Sequence, residues 1–217
     1  YREQKTGSQG RTIDTVSLTY NNLGQIDSRL EQGKNRLGSY SSYKSMQYNL
    51  SGNISSFTQH TENSQGNVTI HRKGIRYNLL GMPTGYLQTT QTALSVKKFS
   101  RAELCYDSQG RVYSFYETGK NEDGSLYSRT KGRIHYDWQN RETGYTENGF
   151  NRKQGACRFT KSHIRYDRYN RINSYYESGE DLHQGKYKVY QSDMVYNSKD
   201  RIKSYKETGW RQKAGKY

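Results

Sequence analysis

The stretch that decides the fold lies near the middle of the chain and reads Tyr106-Asp107-Ser108-Gln109-Gly110-Arg111-Val112. It is one copy of a pattern in which a lead tyrosine is followed by Asp or Asn and, four places after the tyrosine, by Gly, Asn or Asp. Copies begin at Tyr20, Tyr48, Tyr77, Tyr106, Tyr136, Tyr166 and Tyr196, so that successive lead tyrosines are 28 to 30 residues apart. Such a period indicates a repeat array, in which each unit buries its surface against the next one.

The residues after each lead tyrosine predict a tight turn. Asp or Asn in the first place can hydrogen-bond to the backbone of the turn, and Gly, Asn and Asp tolerate the positive φ that the fourth place requires. A type I turn closed by a residue of this kind connects two antiparallel strands. Each copy is therefore interpreted as one turn of a β-hairpin.

The strand after each turn has a recurrent content, counted with the lead tyrosine as position zero. Position six is mostly aliphatic, position eight is small, and position nine is aromatic in almost every unit. Position eleven is always Glu or Gln: Glu3, Glu31, Gln59, Gln88, Glu117, Glu147, Glu177 and Glu207. Since alternate residues of a strand share a face, positions nine and eleven point the same way.

A second, Gly-containing turn then reverses the chain towards the next lead tyrosine. The sequence thus predicts an all-β fold, an antiparallel β-hairpin repeat array of about 15 strands that forms a meander or a coiled strip. No shift in composition marks a boundary, so residues 1–217 are expected to be a single continuous array with partial units at both ends.

Two of the second turns also predict a strand register. Their Gln-Gly pairs are interpreted as two-residue hairpin loops, at 154–155 and 184–185. In that register Tyr145 lies opposite Ile164, and Tyr175 lies opposite Met194. Aromatic residues opposite aliphatic ones stabilise a strand pair by about 0.2–1 kcal/mol.

The composition is unusual for a globular domain. Leu, Ile, Val and Phe number 32 of 217 residues, and the formal net charge is +15. Such values are typical of disordered chains, but 22 tyrosines supply apolar area on stiff side chains that favour strands. A thin, tyrosine-packed β structure is therefore expected. No stretch approaches the roughly 18 consecutive apolar residues of a membrane-spanning helix, so no membrane span is expected.

The two cysteines, Cys105 and Cys157, lie two repeats apart in the sequence. If each repeat is a hairpin, four strand spacings of ~4.8 Å separate them by roughly 19 Å. A disulfide requires Cα atoms within about 7 Å. We therefore expect free thiols, or thiols that pair between chains.

The turn sequence resembles that of the YD-repeat, or Rhs-type, family, whose hallmark is Tyr-Asp-x-x-Gly-Arg followed by an aliphatic residue. The stretch from Tyr106 to Val112 matches the hallmark, degenerate copies begin at Tyr136, Tyr166 and Tyr196, and the first three units have Asn for Asp and lack the cation. Members of that family form strips of β-hairpins that coil into hollow shells in bacteria or belong to adhesion ectodomains in animals. The resemblance implies an extracellular or cell-surface scaffold.

Arginines at position five and tyrosines at position nine are the candidate binding residues. They are Arg111, Arg141, Arg171, Arg201, Tyr145, Tyr175 and Tyr205. On one sheet face, such a row of cations and rings could hold an acidic polymer, either a polysaccharide or a nucleic acid, through charge and stacking. The alternative interpretation is that the arginine stems pack over aromatic rings and keep the sheet soluble.

The sequence does not favour catalysis, a metal site or a cofactor. Position eleven recurs two strands apart, at ~9.5 Å, which is too far for two carboxylates to share a metal ion; these carboxylates are expected to neutralise nearby Lys or Arg. The histidines show no metal-ligand spacing and no grouping with a nucleophile. They are His60, His71, His135, His163 and His183.

The expected function is that of a non-enzymatic structural scaffold, extracellular or at the cell surface. An array that starts and stops within a repeat presents strand edges, which are templates for pairing with another chain. The protein itself is therefore an expected partner, through self-assembly into a fibre, tube or shell. The alternative is a binding module for an acidic polymer.

Overall fold

A computed structural model describes residues 5–7, 11–35, 38–64, 66–121, 124–151, 155–181, 185–198 and 200–212. Within these ranges all regular structure is β-strand. The strands are β1 (Lys5–Gly7), β2 (Arg11–Tyr20), β3 (Ile26–Asn35), β4 (Gly38–Tyr48), β5 (Ile54–Asn63), β6 (Gly66–Tyr77), β7 (Pro83–Thr92), β8 (Val96–Tyr106), β9 (Val112–Lys120), β10 (Leu126–Tyr136), β11 (Glu142–Asn151), β12 (Gly155–Tyr166), β13 (Ile172–Asp181), β14 (Gly185–Tyr196) and β15 (Ile202–Arg211). Their order in the sheet is their order in the sequence, which confirms the predicted all-β hairpin meander of about 15 strands.

The chain divides into two compact units. The first comprises Tyr1–Ala102 and Gly119–Gly124, and the second comprises Glu103–Thr118 and Ser125–Tyr217. Strands β1 to β7 belong to the first unit, and β10 to β15 belong to the second. That all 217 residues act as one continuous array stays a prediction.

The predicted turn after each lead tyrosine is confirmed. In the first copy the side-chain oxygen of Asn21 accepts hydrogen bonds from the backbone N–H groups of Leu23, at 2.9 Å, and Gln25, at 3.0 Å. The N–H of Gly24 donates to the carbonyl oxygen of Asn21. Residues in the fourth place have φ between 58° and 80°: Gly24, Gly52, Gly81, Gly110, Asn140, Asn170 and Asp200.

The predicted register of the second turns is wrong by three residues. Tyr145 pairs with Lys161 rather than with Ile164, and Tyr175 pairs with Gln191 rather than with Met194. The reason is the position of the loop. Gly155 and Gly185 are not loop residues but the first residues of the return strands, with positive φ, and they pair with Asn151 and Asp181. Each loop therefore lies before its Gly, and the pairing is displaced by three residues.

A bulge three residues before the lead tyrosine controls which face the next residue points to. In β12, Ser162 pairs with Tyr176 of β13 and Arg165 pairs with Ser174. Two residues, His163 and Ile164, therefore lie opposite the single residue between Ser174 and Tyr176. His163 has a φ of 51°. The extra residue reverses the alternation, and Ile164 therefore lies on the buried face, where it is 5% exposed. Positive φ recurs at the equivalent positions: Gly74, Glu103, Arg133 and Asp193.

The buried side chains come mainly from three repeat positions. The aliphatic residue two places before the lead tyrosine is buried in Leu104, Ile134, Ile164 and Met194. Position nine supplies Tyr86 and Phe115, and position eleven supplies Glu31 and Glu117. In the second compact unit these positions share one sheet face, which we call the core face. The opposite face carries polar and exposed aromatic residues.

Candidate functional site

The arginine at position five connects two successive turns. The Nε of Arg141 donates to Asp137 Oδ2 at 2.7 Å, and its backbone N–H donates to Asp137 Oδ1 at 2.9 Å. Its Nη1 donates to Asn170 Oδ1 at 3.0 Å, and its guanidinium carbon lies 4.7 Å from the ring centre of Tyr166. We call this set of contacts, to the aspartate of its own turn and to the tyrosine and turn of the next unit, the arginine clamp.

The clamp occurs three times in the second of the two compact units. Arg111 makes it with Asp107, Tyr136 and Asn140. Arg171 makes it with Asp167, Tyr196 and Asp200. The three arginine side chains are only 24% to 26% exposed. The fourth predicted arginine, Arg201, is exposed, and its backbone N–H donates to Asn197 Oδ1.

The clamp lowers the pKa of its aspartates. For Asp107 the largest cause is the hydrogen bond from the backbone N–H of Arg111, and the side chain of that arginine adds to it. For Asp137 and Asp167 desolvation is the largest influence and raises the pKa, but hydrogen bonds from the arginine four residues later outweigh it. The aspartates are therefore held ionised.

The hydroxyl of the lead tyrosine has a function that the sequence reasoning missed. It donates a hydrogen bond of 2.6–2.8 Å to the first carbonyl oxygen of the preceding strand. The pairs are Tyr48 with Ile26, Tyr77 with Ile54, Tyr136 with Val112, Tyr166 with Glu142, and Tyr196 with Ile172. The only sequence signal was the nearly constant spacing, of 22 to 24 residues, from position six to the next lead tyrosine.

The predicted tyrosines at position nine lie against lysines. The Nζ atoms of Lys131 and Lys161 are each 3.8 Å from a ring centre, of Tyr145 and Tyr175 respectively. Burial, followed by the nearby Glu177, raises the pKa of Tyr175 to about 12. Burial also raises the pKa of Tyr145.

The seven predicted site residues thus have different partners in the structure. The arginines of the clamp face the lead tyrosines at the turns. Tyr145 and Tyr175 face lysines within the strands, and Tyr205, in β15, is 49% exposed.

The acidic residues at position eleven that the structure describes are paired with cations, as predicted; Glu3 lies outside the described residues. Glu117 is 1% exposed and accepts hydrogen bonds from Arg129, at 3.0 Å from Nε and 2.7 Å from Nη2, and from the hydroxyl of Tyr127 at 3.1 Å. Nη1 of Arg129 lies 3.5 Å from Glu147 Oε2. The prediction is also confirmed by the ion pairs Arg29 with Glu31, Lys161 with Glu177, and Arg211 with Glu207.

An open groove with a volume of about 980 Å³ lies on strands β12 to β15. It is on the sheet face opposite to the one that carries the buried aliphatic residues. Two rows of side chains cross the four strands in register. One row is Ser162, Tyr176, Tyr190 and Thr208. The other is Thr160, Ser178, Lys188 and Trp210. We refer to these eight residues as the groove.

The groove contains exposed aromatic rings. The rings of Tyr176 and Tyr190 stack with their centres 4.4 Å apart and an angle of 28° between their planes. The ring of His163 contacts Tyr176 edge-on, with 5.6 Å between the centres. Tyr176 is 51% exposed and Trp210 is 50% exposed. No sequence signal had singled out these rings, because positions ten and fourteen and the residues of the return strand vary between repeats.

Three further observations bear on the expected sites. No disulfide joins Cys105 to Cys157. Among the residues that the structure describes, no group of three or more His, Cys, Asp or Glu side chains could hold a metal ion; His183 lies outside them. That same part of the chain contains no helix with the length and apolar character needed to cross a membrane.

No protein-family model matches the chain, and no curated protein matches its sequence. The resemblance of the turns to those of YD-repeat proteins therefore stays a prediction, and function has to be argued from the geometry.

Proposed function

We propose that this chain is a non-enzymatic structural scaffold whose hairpin units hold one another in place. The observation that supports it best is the arginine clamp. Arg141 contacts its own turn through Asp137 and the next unit through Tyr166 and Asn170. The residues that define the repeat therefore make contacts along the array, rather than converging on a catalytic centre.

The physics of repeat arrays favours this function. Their stability is approximately the sum of what each unit contributes and what each interface between neighbours contributes. Each clamp adds charge-assisted hydrogen bonds and a cation–ring contact to one such interface. An extracellular or cell-surface location is part of the proposal and is supported by the resemblance of the turns to those of YD-repeat scaffolds.

Self-assembly through strand β15 is the finer part of the proposal. All ten residues of β15 are exposed, whereas the corresponding positions of β13 are partly covered. Ser174 of β13 is 4% exposed, but its repeat equivalent in β15, Ser204, is exposed. Ile202 and Tyr205 are 52% and 49% exposed. A strand added beside β15 would cover these side chains, and a second copy of the chain is the partner that we propose.

Substitution of one clamp tests the scaffold against the acidic-polymer alternative. Under the scaffold proposal Arg141→Gln lowers the urea midpoint of unfolding and leaves the affinity for hexagalacturonate and for oligothymidylate unchanged. Arg133→Gln, at an exposed arginine outside any clamp, serves as the matched control. If Arg141→Gln instead weakens binding of either polymer and leaves the midpoint unchanged, the binding module is the better function.

Sedimentation velocity over a wide range of protein concentration tests the self-assembly. We expect larger species as the concentration rises, and a smaller fraction of them in Tyr205→Glu, because a carboxylate would be buried beside the added strand. Tyr116→Glu, at an exposed tyrosine of β9, is the control and should associate like the unaltered chain. Monomers alone at every concentration would overturn this part of the proposal.

A further inference from the structure

The groove on β12 to β15 has the character of a ligand site rather than of a bare sheet face. Four of its eight residues carry aliphatic hydroxyl groups: Thr160, Ser162, Ser178 and Thr208. Each hydroxyl can donate one hydrogen bond and accept others. Exposed aromatic rings lie beside them, and sites that combine rings with a few placed polar groups are typical of ligand binding.

The charge along the groove is predominantly positive. Arg165 and Lys188 line the main cavity, and an adjoining cavity of about 380 Å³ adds Arg158 and Lys186. One carboxylate, Glu180, borders this second cavity, and in the strand register it lies between those two added cations. An anionic ligand complements this surface.

The carboxylate of Glu177, which also borders the main cavity, does not oppose such a ligand. It accepts a hydrogen bond from the hydroxyl of Tyr187 at 3.0 Å and lies 3.1 Å from the Nζ of Lys161. Both partners belong to the opposite face of the sheet, because they alternate with the groove residues along β12 and β14. Its negative charge is therefore neutralised away from the groove.

From these features we infer that the groove binds an anionic oligosaccharide whose chain runs across the strands. Neighbouring strands are ~4.8 Å apart, close to the length that one pyranose ring adds to an extended chain. Successive sugars can therefore meet successive strands, with their hydroxyls on the Ser and Thr side chains, their apolar ring faces on Tyr176 or Trp210, and their carboxylates near Lys188.

The geometry favours an oligosaccharide over a single-stranded nucleic acid. The rings of Tyr176 and Tyr190 stack on each other with centres 4.4 Å apart, so no base can enter between them. The rows of hydroxyl groups suit a ligand that is itself rich in hydroxyls.

Trp210 provides a direct reporter of binding. The chain has two tryptophans, and the other, Trp138, is 87% exposed in a turn. In the full chain carrying Trp138→Phe, titration with hexagalacturonate should change the Trp210 fluorescence saturably. In that background Tyr176→Ala and Lys188→Gln should each weaken the apparent affinity by about tenfold or more.

Two matched controls separate the groove from general effects. Tyr116 is exposed and has the same repeat position as Tyr176, but it lies outside the groove, so Tyr116→Ala should leave the affinity unchanged. Lys203→Gln removes one positive charge from β15 outside the groove, and it should also leave the affinity unchanged. Far-ultraviolet circular dichroism checks that all four variants fold.

Each remaining outcome would overturn the inference. No saturable change in fluorescence, or an equal loss of affinity in the controls, means that the groove is not the site. Equal affinity for cellohexaose means that the charge of the ligand has no importance. If oligothymidylate of the same charge binds more tightly than hexagalacturonate and its binding depends on Tyr176, the surface is a nucleic-acid site.

Discussion

The phenolic oxygen of Tyr166 lies 2.8 Å from the carbonyl oxygen of Glu142, to which it donates a hydrogen bond. Glu142 is the first residue of β11 and Tyr166 is the last residue of β12. The regular pairing of these two strands ends earlier, at Tyr145 with Lys161. The tyrosine therefore connects the two strands where their backbone ladder has already stopped.

Removal of this hydroxyl should weaken the fold. In Tyr166→Phe the carbonyl of Glu142 loses a donor while the ring and its contact with Arg141 remain. We expect the free energy of unfolding to fall by about 1 kcal/mol, measured by urea denaturation followed by circular dichroism. Tyr113→Phe, at a tyrosine that is 40% exposed, is the control and should change stability much less. Equal effects in the two variants would show that the hydrogen bond contributes nothing.

The bulge before the lead tyrosine places a residue with a side chain in a conformation that favours glycine. Arg133 is exposed and has a φ of 52°. A left-handed backbone costs a residue with a side chain roughly 1–2 kcal/mol, and glycine loses part of that advantage through its more flexible unfolded chain. Arg133→Gly should therefore stabilise the fold by about 0.5–1 kcal/mol, seen as a higher melting temperature.

Arg133→Ala is the matched control for this prediction, because it removes the same charge but keeps the unfavourable φ. It should not raise the melting temperature. The reverse change is available at Gly74, which has a φ of 62° and no atom within 4 Å of an added Cβ. Gly74→Ala should destabilise the fold through backbone conformation alone. A stabilising effect of Arg133→Ala as large as that of Arg133→Gly would contradict the explanation.

The turns could be predicted from the sequence because they depend on neighbouring residues. An Asn or Asp side chain that bonds to backbone two and four residues later, as Asn21 does, is recognisable from residue type and spacing. The aliphatic residue before each lead tyrosine, such as Ile164, was also recognisable as a regular feature. These local rules were sufficient for the hairpin meander.

The register and the arginine clamp could not be predicted in the same way. The shift of Tyr145 from Ile164 to Lys161 depends on whether Gly155 lies within the loop or begins the return strand, and residue types alone do not distinguish these two cases. The contact between Arg141 and Asn170 spans 29 residues of sequence. Such contacts follow from the distance and twist between neighbouring units, which a pattern of residue types does not specify.

The arginine clamp predicts that stability depends on acid pH. The hydrogen bond from the backbone N–H of Arg111, with its side chain, lowers the folded-state pKa of Asp107 below its ordinary value of 3.8. As pH falls through that value, the unfolded chain takes up the proton first, so this stabilisation is lost progressively until pH passes the folded pKa. Asp107→Asn should thus be less stable than the unaltered chain at pH 7, with a difference that shrinks below about pH 4.

The last turn offers the reciprocal substitution. Asn197 already accepts a hydrogen bond from the backbone N–H of Arg201 at 3.0 Å, so an aspartate fits there without rearrangement. Asn197→Asp should raise stability at pH 7 and make it fall more steeply on acidification. Urea midpoints of the three chains at several pH values check both expectations. Parallel curves for the unaltered chain and Asp107→Asn would rule out the carboxylate as the titrating group.

The position-eleven carboxylates allow the same substitution to be compared in two environments. Glu117 is 1% exposed and accepts two hydrogen bonds from Arg129, whereas the side chain of Glu207 in β15 is 30% exposed. Glu117→Gln removes the nearer of the two carboxylates that neutralise the half-buried guanidinium of Arg129, and loss of one partner of a buried ion pair is strongly destabilising. We expect a loss of about 2 kcal/mol or more in the free energy of unfolding for Glu117→Gln and under about 1 kcal/mol for Glu207→Gln. The amide itself is tolerated at this position, since Gln88 accepts two hydrogen bonds from Arg72. If the two substitutions cost the same, burial is not what makes the Glu117 pair important.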